Sequence, residues 1–225
     1  NTCLFVKNLI YYNHMSLYDE TPKPQKIEEP KEEPKEESIY ATLNDILSSC
    51  VDFKDSVIYL DTEIMEHTLI DFIIKVRSIL EYRTTEKYEG EKDAPINLIL
   101  NSPGGDIHEM LGLIDYINTL NVKVNIICRG KALSAAAIIL VCATGQRMVS
   151  KNSTIMFHQA SSFVSGKLSD ITATIEYVKK IESDLYALLA EKTNCEASWW
   201  EGHMKSDLFL TAQEALDIGV IDTII

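Results

Sequence analysis

From Ile39 onward the chain alternates two hydrophobic periods. "SVIYL" and "INLIL" are short runs of branched and aromatic side chains bounded by polar residues, and they read as strands. Between them, "IMEHTLIDFIIKVRSIL" sets Met65, Leu69, Phe72, Val76 and Ile79 on one face of a helix. After "INLIL" comes "NSPGGD", then an amphipathic helix through Met110, Ile114 and Ile117. "VKVNIIC" predicts a third strand, ending at Gly130, and "STIMFHQ" a fourth. Strands separated by helices of this length predict an α/β fold of repeated parallel βαβ units with right-handed crossovers.

A long helix follows. Leu168, Ile171, Ile175, Val178, Leu185 and Leu188 keep a 3–4 spacing that one polar residue, Glu182, interrupts. From 168 to 192 it spans roughly 35 Å, more than a small sheet can cover, so part of it is expected to pack on another subunit. In "TAQEALDIG", Thr211 and Glu214 match a capping box and Gly219 a C-terminal stop. "VIDTII" predicts a last strand.

Residues 1–38 depart from this pattern. "PKPQKIEEPKEEPKEES" holds four of the six prolines and alternates Lys with paired Glu. It has too few apolar groups to offset ordering entropy, and a disordered, solvated tail is expected, with a folded domain over 39–225. "NTCLFVKNLIYYNH" before it lacks a basic leader and an A-x-A site, so a secretory signal is not expected; Met15 is an alternative start.

An apolar fraction of 46% and a charged fraction of 24% suit one sizeable globular core. The net charge of −13, with no basic stripe, excludes nucleic acid as an expected partner. No apolar run reaches the roughly 20 residues a membrane-spanning helix needs. Cys3, Cys50, Cys128, Cys142 and Cys195 form no CxxC pair, which points to a reducing compartment and to no metal site.

Candidate chemistry centres on "GKALSAAAIIL", where Ser134 stands alone among apolar residues. A single serine there is either a small core filler bonding a carbonyl one turn back, or a nucleophile. For any single serine the first is the more common case, and three features make the second compete with it. Ser134 follows a strand and a glycine at the start of a helix, where N–H groups are free. "NSPGGD" places Gly104 and Gly105 after another strand, where an exposed N–H, with that of Ala135, can form an oxyanion hole. His158 ends a strand, and Asp207 follows a helical segment at "SDLFL". Each signal alone has a structural alternative: a turn, a structural histidine, a capping aspartate. His67, His108 and His203 read as surface residues. The order Ser, His, Asp fits neither the nucleophile-elbow hydrolases nor the chymotrypsin-like enzymes.

Taken together, "LILNSPGGDI", "RGKALSAAAIIL", "NSTIMFHQ" and "DLFLTAQEALDIGVIDTI" resemble, in order and spacing, the Clp protease proteolytic subunit family (ClpP), over about Ile39 to Ile225. The resemblance implies the ClpP/crotonase-like fold with a long handle helix, and a serine endopeptidase needing no cofactor and no metal. It implies Ser134 as nucleophile, His158 as general base, Asp207 as the residue orienting the imidazole, and Gly105 and Ala135 as oxyanion donors. It further implies heptameric rings stacked into a barrel, polypeptide substrates, an AAA+ unfoldase partner, and a cytoplasmic or organelle-matrix location. A capsid-maturation protease, a silent ring subunit and an acyl-CoA enzyme remain as alternatives.

The chain departs from the family in several places. Ala135 and Ala136 replace the usual Met and Gly, and "HQASS" replaces HQP and a glycine-rich segment at the groove. The unfoldase-docking positions become Asn97, Ile99, Thr119, Arg129, Met148 and Ser150, and "EYRTTEKYEGEKDAP" is a longer connection. A polar docking surface predicts an unusual ATPase partner or a mixed ring.

Overall fold

The strand INLILNS buries every second side chain completely and its neighbours half-way, which sets it in the middle of a sheet. The structure, a computed structural model, describes residues 49–161 and 165–225. The predicted tail over 1–38 lies outside the described residues.

In chain order the elements are β1 (Val51–Asp52), β2 (Val57–Leu60), α1 (Thr68–Tyr82), β3 (Ile96–Ser102), α2 (Ile107–Thr119), β4 (Val124–Leu133) and α3 (Ala135–Val141). They continue with β5 (Arg147–Val149), β6 (Thr154–Phe157), α4 (Leu168–Lys192), α5 (Ala197–His203), β7 (Leu208–Leu210), α6 (Ala212–Asp217) and β8 (Thr223–Ile224). The sheet runs β1-β2-β3-β4-β5-β8, with β6 branching from β4 and carrying β7. From β2 through β8 the pairs are parallel; β1 on β2 and β7 on β6 are antiparallel. This is the α/β architecture expected from the alternating periods.

β4 runs three residues beyond Gly130, where it was expected to end, and forks. Ile126–Cys128 pair with β5, whereas Lys131–Leu133 pair with β6. Gly130, at φ +109°, makes the bend. Buried Ser153 bridges the fork, its Oγ accepting from the Gly130 N–H at 3.0 Å and donating to the Cys128 carbonyl at 3.3 Å. The fork carries the end of β4, and so Ser134, alongside β6.

α1 buries Phe72, Val76 and Ile79 as its period predicts, but it begins at Thr68. Ile64 instead bridges Gly105, its N–H and carbonyl both spent on the glycine loop, so the chain is extended there and Met65 points to solvent. The connection after α1 is held by Arg83, a buried side chain. Its guanidinium donates to Ser56 Oγ and to the carbonyls of Lys92, Ala94 and Pro95, at 2.7–3.3 Å.

α4 covers the predicted span, but its burial is uneven. Only Leu185, Tyr186 and Leu189 are buried, while Leu168 is 80% exposed and Ile175 45%. Tyr186 and Leu189 lie off the predicted stripe; the helix packs against α3 and α5. Beyond α4, Trp200 is fully buried edge-on to Phe157, with ring centroids 4.9 Å apart. The capping box of Thr211 and Glu214 opens α6, and Gly219 at φ +74° follows its end. Arg147 ties α4 to the C-terminal strand, donating to the Lys192 and Gly219 carbonyls and to the Asp222 carboxylate.

Cys128 and Cys142 are buried, Cys195 is half-buried and Cys50 exposed, all as free thiols. Among the described residues no helix is long and apolar enough to cross a membrane.

Candidate active site

Ser134 is the N-cap of α3, reached directly from β4, with φ 55° and ψ −124°. That conformation is costly for any residue with a Cβ, and packed neighbours must hold it. They do so on both sides: the Ser134 N–H donates to the Met156 carbonyl of β6 at 2.8 Å, and α3 behind it is buried throughout. A core filler needs no such backbone. Nor does the hydroxyl bond back to the chain. It meets His158 Nε2 at 2.7 Å.

The sheet arranges this meeting. Leu133 of β4 pairs with Met156 of β6, so Ser134 and His158 leave adjacent strands at the same edge. Past the histidine, the Gln159 N–H donates to the Met204 carbonyl at 3.0 Å.

The glycine loop closes the other side. Gly104 accepts from the Ile64 N–H and Asp106 donates to the Ile64 carbonyl, both at 2.8 Å. These bonds use the groups flanking Gly105, whose own N–H has no backbone acceptor among the described residues; the same is true of the Ala135 N–H. Neither glycine admits a side chain. A Cβ on Gly105 would lie 2.0 Å from the Ile64 oxygen, and one on Gly104 would lie 2.4 Å from the Leu133 oxygen and 3.0 Å from the Ala135 nitrogen. The loop therefore lies directly on the Ser134 turn. Gly105, Ser134, Ala135 and His158 line one cleft of about 370 Å³.

Asp207 is not joined to this pair. Its side chain is exposed and has no hydrogen-bond or ion-pair partner among the described residues. Its backbone is close in register, however. β6 and β7 are antiparallel and their last pair is Phe157 with Leu208, so His158 and Asp207 are the next residues beyond it.

The sequence did not single out the rest of the cleft. Met110, Ile138, Ile181, Leu185 and Met204 make an apolar lining suited to an apolar side chain. His108, expected on the surface, is exposed but lines the cleft, stacked toward Tyr177 of α4 with ring centroids 6.2 Å apart. The signal for it was its place three residues past Gly105. His67 and His203 are exposed, as expected.

The six positions expected to meet an unfoldase lie mostly on one surface. Asn97 pairs in register with Asn125, and Ile99 with Ile127, which neighbours Met148, so these side chains share the half-buried sheet face. The Asn125 amide donates to Asn97 Oδ1 at 3.0 Å, and Arg129 to Ser150 Oγ at 3.3 Å. Thr119 stands apart, bonding Tyr116 at the end of α2.

Comparison with known proteins agrees with the motif order. The family model described as Clp protease matches residues 42–225. The ATP-dependent Clp protease proteolytic subunit of Bacteroides thetaiotaomicron is 30% identical over 172 residues, covering 76% of this chain and 74% of that one. ATP-dependent Clp protease proteolytic subunit 1 of Bacillus cereus is 29% identical over 173 residues, 76% and 86% of the two chains. Its counterpart in Mycolicibacterium paratuberculosis is 27% identical over 176 residues, 77% and 80%.

Proposed function

The chain belongs to the Clp protease family of serine endopeptidases, and we propose that Ser134, His158 and Asp207 cleave polypeptides through an acyl-enzyme. The observation that carries this reading is the 2.7 Å contact between Ser134 Oγ and His158 Nε2 beside two unspent N–H groups.

As Ser134 Oγ attacks a peptide carbonyl carbon, His158 Nε2 takes the hydroxyl proton. The tetrahedral oxyanion is held by the Gly105 and Ala135 N–H groups, neither of which is spent on a backbone acceptor among the described residues. On collapse the C–N bond breaks and the imidazolium returns its proton to the departing amine. Water then attacks the ester, His158 again taking a proton and handing it to Ser134 as the acyl group leaves. Asp207, which lies with His158 one step beyond the last β6–β7 pair, orients the imidazole once its carboxylate turns onto Nδ1.

In this reading residues 39–225 form the peptidase domain. Subunits assemble into heptameric rings and a double-ring barrel through the part of α4 that a single chain leaves exposed. An ATP-dependent unfoldase feeds it, meeting a sheet face more polar than is usual because of the Asn97–Asn125 and Arg129–Ser150 pairs. Polypeptides unfolded by such a partner are the substrates.

A fluorophosphonate probe and a fluorogenic peptide test the chemistry. Wild type is expected to be labelled at Ser134 and to cleave, and Ser134→Ala to do neither, with kcat lower by about 10⁴ to 10⁶. Absence of labelling in the assembled wild-type protein would leave the chain a silent ring subunit.

A further inference from the structure

The apolar stripe of α4 is broken once, at Glu182, and the fold gives that carboxylate a partner. The Ala160 N–H, two residues past His158, donates to Glu182 Oε1 at 2.9 Å. Gln159, Ala160 and Ser161 all line the cleft that holds Ser134. This wall is thus held at one end by the Gln159 bond to Met204 and further along by a side chain of the long helix. One turn on, the Tyr186 hydroxyl is buried against Gln159 but completes no hydrogen bond among the described residues. Glu182 is therefore a polar tether between α4 and the wall.

We propose that Glu182 is a substrate-positioning residue, its carboxylate fixing the 159–161 wall against which a bound polypeptide lies. This rests on the peptidase reading above. Residues 159–161 belong to no helix or strand, so their order depends on such anchors. A hydrogen bond to a charged acceptor is among the stronger ones available. Without it the wall keeps its anchor at Gln159 and loses the next. Ser134 and His158 are held separately, by the β4–β6 ladder, and do not depend on it. The cost of removing Glu182 falls on substrate binding and not on the reacting pair.

The test compares Glu182→Gln, Glu182→Leu, Ala160→Pro and the double variant Ala160→Pro/Glu182→Leu in the full-length assembled enzyme. Peptide hydrolysis is measured beside the rate at which a small fluorophosphonate labels Ser134. Glu182→Leu is expected to raise KM about fivefold to tenfold, the worth of one hydrogen bond, with labelling unchanged. Glu182→Gln, whose amide oxygen still accepts, is expected to stay within about twofold of wild type. Ala160→Pro has no N–H to donate, so adding Glu182→Leu to it is expected to cost nothing further. Glu182→Ala carries the same test if leucine disturbs assembly.

An unchanged KM in Glu182→Leu, a parallel fall in labelling, or losses that multiply in the double variant would each overturn this role. Absence of labelling in wild type would overturn the peptidase reading and the role of Glu182 together.

Discussion

Gly104 lies so close to Ser134 that a methyl group added to the glycine would stand 2.7 Å from the serine Cβ. The same methyl would meet the Leu133 carbonyl at 2.4 Å, and Gly104 holds φ +92°. Backbone meets backbone here, so no side-chain rotation relieves the contact. Gly104→Ala is expected to lower peptide hydrolysis by about 10²-fold or more through displacement of the oxyanion donors. Strain is expected to cost about 1–3 kcal/mol of stability. Gly202, inside α5 with open space around it, is the contrast. Gly202→Ala is expected to stabilise by up to about 1 kcal/mol without loss of activity. Thermal melts and peptide assays read both; a fully active Gly104→Ala enzyme would refute the arrangement of the loop.

Arg83 serves the fold, not the chemistry. Methionine in its place fills similar volume but leaves Ser56 Oγ and three carbonyls without their donor. The expected loss is about 2–4 kcal/mol in urea denaturation. Lysine is expected to recover less than half of it, since an ammonium cannot reproduce the planar fork. A methionine variant as stable as wild type would show that the 84–95 connection holds itself.

Asp222 makes part of the stability pH-dependent. Hydrogen bonds from the Arg147 guanidinium hold its carboxyl below the usual range, opposed by partial burial and aided by the Arg147 N–H. The folded value is therefore lower than the unfolded one, near 3.9. The contribution is present above that unfolded value and fades as pH falls through the folded one. Asp222→Asn is expected to melt lower than wild type at pH 7, with the gap closing below about pH 4. A gap that stays constant down to pH 2 would assign the effect to packing.

The thiols are expected to separate by accessibility. Burial pushes Cys128 up to about 11 and Cys142 up to about 12, whereas Cys50 is exposed. In native protein at pH 8, iodoacetamide is expected to modify Cys50 and to spare Cys128 and Cys142 until denaturant is added. Peptide-resolved mass spectrometry reads the difference, and rapid native alkylation of Cys142 would contradict the packing around α3.

Local periodicity determined a good deal of this molecule. The span of α4, the buried faces of α1 and α2, the capping box at Thr211 and the alternation of β3 are set by residues a few positions apart. The helical hydrogen bonds among these close within a turn, and the alternation of β3 follows from the pleat, which points successive side chains to opposite faces. The four motifs, read together, also carried the family. What only the tertiary structure decided depends on which strand pairs with which. The fork in β4, the bridge that draws Ile64 out of α1, the buried Arg83, and Glu182 on the Ala160 N–H all join segments distant in sequence. A strand's own side chains announce that it is buried, but not the register of its neighbour. That register, Leu133 on Met156, is what brings a hydroxyl and an imidazole 24 residues apart within 2.7 Å.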